Sequence, residues 1–68
     1  MSVYKVIELI GTSEKSWEDA AQQAVAKARS SLRELRIVEV SKLDLKLDEK
    51  GNIAAYRARL NISFKYDN

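Results

Sequence analysis

Ile37-Val38-Glu39-Val40-Ser41-Lys42-Leu43-Asp44-Leu45-Lys46-Leu47-Asp48 is followed, after Glu49-Lys50-Gly51-Asn52, by Ile53-Ala54-Ala55-Tyr56-Arg57-Ala58-Arg59-Leu60-Asn61-Ile62-Ser63-Phe64-Lys65-Tyr66. Both runs have a period of two. In the first, Leu43, Leu45 and Leu47 take one face and Lys42, Asp44, Lys46 and Asp48 the other. In the second, Ala54, Tyr56, Ala58, Leu60, Ile62, Phe64 and Tyr66 oppose Arg57, Arg59, Asn61, Ser63 and Lys65. Successive side chains on a strand point to opposite sides of a sheet, so this pattern predicts two half-buried strands. The segment between them is short and polar, with Gly51 available for positive φ, and it joins them into one long β-hairpin.

Upstream, the period is that of a helix. Trp17, Ala20, Ala21, Ala24, Val25, Ala28, Leu32 and Leu35 recur at spacings of three and four, which places them on one helical face. Ser16 precedes the run with Asp19 three residues on, a variant of the capping box. Glu14, Glu18 and Asp19 lie at the start and Arg29, Arg33 and Arg36 near the end, the arrangement the helix dipole favours. A helix of about nineteen residues, roughly 28 Å long, is expected. Its apolar stripe is mostly Ala, so it can approach a sheet closely. Before it, residues 3–10 are rich in β-branched and aromatic types on both alternating sets, predicting a strand whose two faces are both at least partly covered. Gly11-Thr12-Ser13 reads as the turn that ends it. The fold class is α+β with the order β-α-β-β, in a single domain spanning residues 1–68.

The chain has 68 residues with 12 Lys and Arg against 10 Asp and Glu, and contains no Cys, His or Pro. Without His and Cys there is no Ser-His-Asp or Cys-His nucleophile system, no thiolate or imidazole metal site and no disulfide. No pair of acid–base groups stands out either, so no enzymatic activity is expected. The cations are interspersed with acids instead of forming a stripe, which argues against a nucleic-acid partner. Lys5 and Glu8 interrupt the first apolar run, so no signal-type or membrane-spanning segment is expected there, and a cytoplasmic location follows by default.

A domain of this size buries only about 60% of the surface its unfolded chain exposes, and its core alone rarely supplies more than about 3–5 kcal/mol. Strands of some twelve to fourteen residues run to about 40 Å, longer than the helix that must cover them. Apolar sheet surface is therefore left bare in a monomer. A homo-oligomer with closed symmetry is the expected remedy.

The opening Tyr4-Lys5-Val6-Ile7-Glu8-Leu9-Ile10-Gly11-Thr12-Ser13, the Ala-rich helix, Leu35-Arg36-Ile37-Val38-Glu39-Val40 and Tyr56-Arg57-Ala58-Arg59-Leu60-Asn61-Ile62-Ser63-Phe64 together resemble the dodecin family over nearly the whole chain. The resemblance implies a three-stranded antiparallel sheet partly wrapped around one long helix, and twelve copies forming a hollow shell. It also implies a non-catalytic protein that binds or stores a small molecule, FMN or riboflavin being the usual cargo. In flavin-binding members a Trp at the start of the second strand stacks on the isoalloxazine, and a Gln on the third strand bonds its polar edge. The matching positions here are Ile37 and Arg57. Ile offers apolar contact without an aromatic face, and Arg donates but cannot accept. In this the chain is similar to the branch of the family lacking the stacking Trp, within which calcium binding occurs, so a calcium-binding or purely structural assembly is the alternative.

Other candidate groups come from the residues alone. Asp48, Glu49 and Asn52 at the hairpin loop are the oxygen donors nearest one another for a calcium ion; Asp44 lies about 13 Å from Asp48 and cannot share it. A solvated acidic tip is the simpler expectation for them. Arg57, Arg59 and Lys65 project from one strand face, either lining a site for an anionic ligand or pairing with Glu39, Asp44 and other acids nearby, the simpler expectation. Trp17 is expected to anchor the helix start on the sheet.

Overall fold

A computed structural model describes residues 1–66. The elements are β1 (Tyr4–Ser13), α1 (Trp17–Ser31), β2 (Leu35–Leu47) and β3 (Ile53–Lys65). The strands form one antiparallel sheet in the order β1-β3-β2, so the last strand lies at the centre. It is also the most completely buried on one side: Ala58, Leu60 and Ile62 are sealed against Ala20, Ala24 and Ala28 of α1. Alternation in β3 predicted which side that would be. Ile7, Leu9, Val25, Leu32, Leu35 and Val38 surround this small core.

Two boundaries differ from the sequence expectation. The helix has 15 residues and ends at Ser31; Leu32 is already extended (φ −120°), and Glu34 takes the left-handed conformation (φ 61°) that turns the chain back into β2. Leu32 and Leu35 keep the helical phase in sequence, but they reach the core from the connection and from a strand. Gly11-Thr12-Ser13 is not a turn. These residues continue β1, pairing with Ala58, Arg57 and Tyr56, and the chain reverses over the next few residues instead. Gly11 serves a different purpose. A Cβ there would collide with the carbonyl of Ala20 and lie 3.1 Å from the Ala24 Cβ. Glycine is thus required for the close approach of helix to sheet, because any side chain would push α1 outward.

The start of α1 matches its sequence signal. Ser16 is the N-cap, its hydroxyl accepting from the Asp19 N–H at 3.0 Å, and Ser13 Oγ donates to the Asp19 carboxylate at 2.6 Å. At the hairpin loop Gly51 has φ 86°, and Asp48 Oδ1 accepts from the N–H groups of Lys50 and Asn52, both at 2.9 Å. These bonds stabilise the ionised carboxylate. Asp48 is accordingly held below its ordinary range, the Asn52 N–H being the main cause.

Strict alternation fails in β2, and the failure organises both faces. The register with β3 slips between Leu35 and Ile37 and again between Val40 and Lys42. Each slip is a β-bulge in which one residue, Arg36 or Ser41, has no partner. Ser41 Oγ donates to the Arg59 carbonyl at 3.1 Å across the second. Because a bulge reverses the facing of the residues after it, Val38 and Val40 join Leu43 and Leu45 on the helix side, opposite Ile62, Leu60, Ala58 and Tyr56. A third slip, between Lys46 and Leu47, sets Ile53 and not Ala54 across from Leu47.

The molecule measures 51 × 19 × 15 Å, while fifteen helical residues span only about 22 Å. The helix lies over β1 and β3 and barely reaches β2, so Val40 and Leu43 remain half exposed on its own side of the sheet. The bare apolar β surface expected from strand length is present. No helix among the described residues is long and apolar enough to cross a membrane.

Candidate functional site

The side of the sheet away from α1 has no covering layer, and both family-derived site positions lie on it. The register sets its side chains in rows across the three strands. From one end these are Val6-Ser63-Ile37, Glu8-Asn61-Glu39, Ile10-Arg59-Lys42 and Thr12-Arg57-Asp44. Ile37, 67% exposed, shares its row with Val6, and Ile10 two rows away is likewise open to solvent. Ser63 Oγ donates to the Ile37 carbonyl at 3.2 Å and ties this corner of the sheet. In the next row Asn61 Nδ2 donates to Glu39 Oε1 at 3.1 Å.

Arg57 lies three rows from Ile37. Six residues of β3 separate the two rows, about 20 Å, so one chain does not bring Ile37 and Arg57 onto a common small ligand. Arg57 is also engaged. Its Nε and Nη2 reach Asp44 Oδ1 and Oδ2 at 2.7 and 3.1 Å, a two-point fork. That bonding lowers the Asp44 carboxyl below its ordinary range, with Arg57 the main cause and Arg59 adding at longer range, and raises the Arg57 guanidinium. The pairing expected for Arg57 is thus present with Asp44, whereas Glu39 bonds to Asn61.

Asp44 also marks where the two sides of the hairpin meet. Its carbonyl accepts from Trp17 Nε1 at 3.1 Å, and the Trp17 ring stands edge-on to Tyr56 with centroids 5.3 Å apart. Trp17 therefore anchors the first turn of α1 on the hairpin, as expected, and it borders a groove with Glu18, Ala21, Val40 and Leu43. It lies on the helix side, away from Ile37.

At the hairpin tip Asp48, Glu49 and Asn52 line one shallow hollow, which they share with Lys50. Calcium requires six to eight oxygens. Here one Asp48 oxygen is already bonded to two backbone N–H groups, and an ammonium stands beside the rest. Among the described residues no cluster of three or more carboxylates that could hold a metal comes together. The tip of a single chain does not supply a calcium shell.

Sequence reasoning missed the Glu8-Asn61-Glu39 row, because Glu39 shares a face with Lys42 only through the bulge at Ser41. The signal was present: the apolar residues Val40 and Leu43 are three apart where alternation requires two or four.

The sequence profile of the dodecin family matches residues 3–67. The chain is 51% identical to the calcium dodecin of Mycobacterium tuberculosis over 65 residues, covering 96% of this chain and 90% of that one. It is 40% identical to the dodecin of Thermus thermophilus, covering 96% and 93%. The crystal structure of the M. tuberculosis protein, described as calcium chelating with a novel calcium-binding site, matches with a TM-score of 0.86 at 48% identity over 97% of this chain and 93% of that one. Dodecin from Streptomyces coelicolor matches with a TM-score of 0.90 at 28% identity, over 98% and 94%. The fold thus agrees with these relatives across almost the full length, and this chain belongs to the dodecin family.

Proposed function

We propose that this chain is a non-catalytic small-molecule-binding protein of the storage or buffering kind, that it works as a homododecameric shell, and that its ligand is held on the outer face of the sheet between copies. Flavin, as FMN or riboflavin, is the first ligand to test. The observation that supports this reading is the composition of that face: solvent-exposed Ile37, Val6 and Ile10 lie directly beside hydrogen-bonding and charged rows. Surface of this kind on a small protein marks an association or ligand site. Since Ile37 and Arg57 stand so far apart within one chain, a pocket that uses both takes them from different copies.

Sedimentation and native mass spectrometry of the protein as isolated will give the subunit count and any retained chromophore. Titration of FMN and of riboflavin by fluorescence quenching then tests the ligand, with saturable quenching expected. No quenching at high micromolar flavin removes the flavin reading and leaves the shell, while a stable folded monomer at micromolar dilution removes the shell as well.

A second reading is supported by the identity to a relative named calcium dodecin. In that reading the ion is bound by carboxylates gathered from several copies, with Asp48, Glu49 and Asn52 the first candidates. Calcium calorimetry on Asp48→Ala and Glu49→Ala proteins tests it. Unchanged binding in both would exclude the hairpin tip.

A further inference from the structure

Lys42 and Arg59 occupy directly opposed positions on β2 and β3, on the outer face. Like charges placed opposite each other on a sheet repel, so such a pair normally recruits a carboxylate. None is recruited here. Among the described residues the only ion pairs are Arg36 with Glu34 and Arg57 with Asp44, and neither Lys42 nor Arg59 is in one. Of the acids on this face, Asp44 gives both oxygens to Arg57 and Glu39 Oε1 accepts from Asn61, while Glu8, one row away on β1, forms no ion pair with either cation. On the third strand the row is completed by Ile10, which is apolar. Between this row and the hairpin end, the outer face carries Lys42, Lys46, Arg57 and Arg59 against Asp44 alone.

The juxtaposition is built by the chain. Alternation counted from the hairpin puts Lys42 and Arg59 on one face, and the bulge at Ser41 keeps Val40 with Leu43 on the other. The bulge adjoins the pair and is tied to it, Ser41 Oγ donating to the Arg59 carbonyl at 3.1 Å. Bulges commonly re-aim a side chain at a site of interaction.

We infer that Lys42 and Arg59 form an oxyanion-binding site on the outer face, fitted to a phosphate group, whether free phosphate or the phosphate of a small organic ester. Arg59 supplies a planar fork for two oxygens and Lys42 a point charge for the third. The adjoining Ile10 offers apolar contact to the organic part of an ester. The site does not depend on flavin being the ligand.

Inorganic phosphate is the probe, added to the assembled protein at ionic strength matched with chloride and followed by ³¹P line broadening and calorimetry. Saturable broadening is expected in the parent protein. Arg59→Gln is expected to weaken it about tenfold or more and Lys42→Gln several-fold, the scale of one charge-assisted contact to an anion. Lys27→Gln, on the exposed side of the helix, should leave it unchanged. Arg59→Lys keeps the charge and loses the fork, so it should retain weakened binding, and it serves if Arg59→Gln does not fold. Comparing FMN with riboflavin separates the sources: a preference for FMN that disappears in Arg59→Gln assigns the site to an ester, whereas binding of inorganic phosphate alone assigns it to the free ion. No saturable broadening, or equal binding in all variants, overturns the inference. So does dissociation of the assembly by Lys42→Gln or Arg59→Gln without any phosphate effect, because the partner of the two cations would then be a carboxylate of another copy.

Discussion

On the helix side of the sheet, Ala58, Leu60 and Ile62 close against Ala20, Ala24 and Ala28, with no room for a methyl group at Gly11, while on the other side Ile37, Val6 and Ile10 are open to solvent and Lys42 and Arg59 have no ion-pair partner among the described residues. The same three strands supply both. The inner face is made of small and branched apolar residues and is closed under the helix, though Val40 and Leu43 beyond it stay half exposed. The outer face mixes apolar and charged rows, and its chemistry is complete only with something outside the chain. On the proposed reading, stability and ligand binding are carried on opposite sides of one sheet, and changes to one side should leave the other largely intact.

The largest effects are expected on the inner face. Leu60→Ala should lower stability by about 2–5 kcal/mol, because it opens a cavity at a fully buried site in a core too small to collapse around it. Gly11→Ala should cost about 1–3 kcal/mol by driving Ala20 away from β1. Both are read from urea midpoints at constant protein concentration, since assembly contributes to the midpoint. If either change left stability intact while reducing ligand binding, the division between the two faces would fail.

The outer face is probed in the opposite sense. Ile37→Trp combined with Arg57→Gln restores an aromatic platform and an amide, and should raise flavin affinity by about tenfold or more, the scale of aromatic stacking on a base. The urea midpoint should hardly move. No gain in fluorescence quenching would mean that other differences block the pocket.

Smaller effects sharpen the comparison at its margins. Ser16→Ala removes the N-cap bond to Asp19 and should cost about 1 kcal/mol, visible as reduced helical signal before global unfolding. Acid titration tests the hairpin. Asp44 and Asp48 both sit below their ordinary value of 3.8 in the folded chain, so each contributes stability that is present above that value and lost as pH falls through the folded one. Urea midpoints should therefore be nearly flat above about pH 5 as far as these two groups are concerned and decline below about pH 4. Asp48→Asn should make that decline shallower, and an unchanged slope would show that the loop bonds to Lys50 and Asn52 are not what stabilises the charge.

Element types, the Ser16 cap, the Gly51 turn, the facing of β3 and the shortage of cover for long strands were all legible in residue order, because each arises from neighbours within a few positions. Helix length was not, because Leu32 and Leu35 stay in phase with the helix after the chain has left it. Gly11 reads as a turn residue in sequence because the need for it comes from the Ala20 carbonyl, nine residues away and on another element. Of the site, Ile37 and Arg57 could be named from family resemblance, but their separation along β3 and the fork between Arg57 and Asp44 could not.

What residue order determined by itself was local: periodicity chooses strand or helix, and a hydroxyl or a glycine at the right place ends one. What only the tertiary structure decided was which residues share a face. The bulge at Ser41 forms because the helix-side surface is continuous only if Val38 and Val40 join Leu43 and Leu45. The same slip sets Glu39 on the outer face with Lys42 and Arg59, so a requirement of the core sets the make-up of the opposite face. Local pattern cannot report this, since the energy that places the bulge comes from burying side chains against a helix distant in sequence.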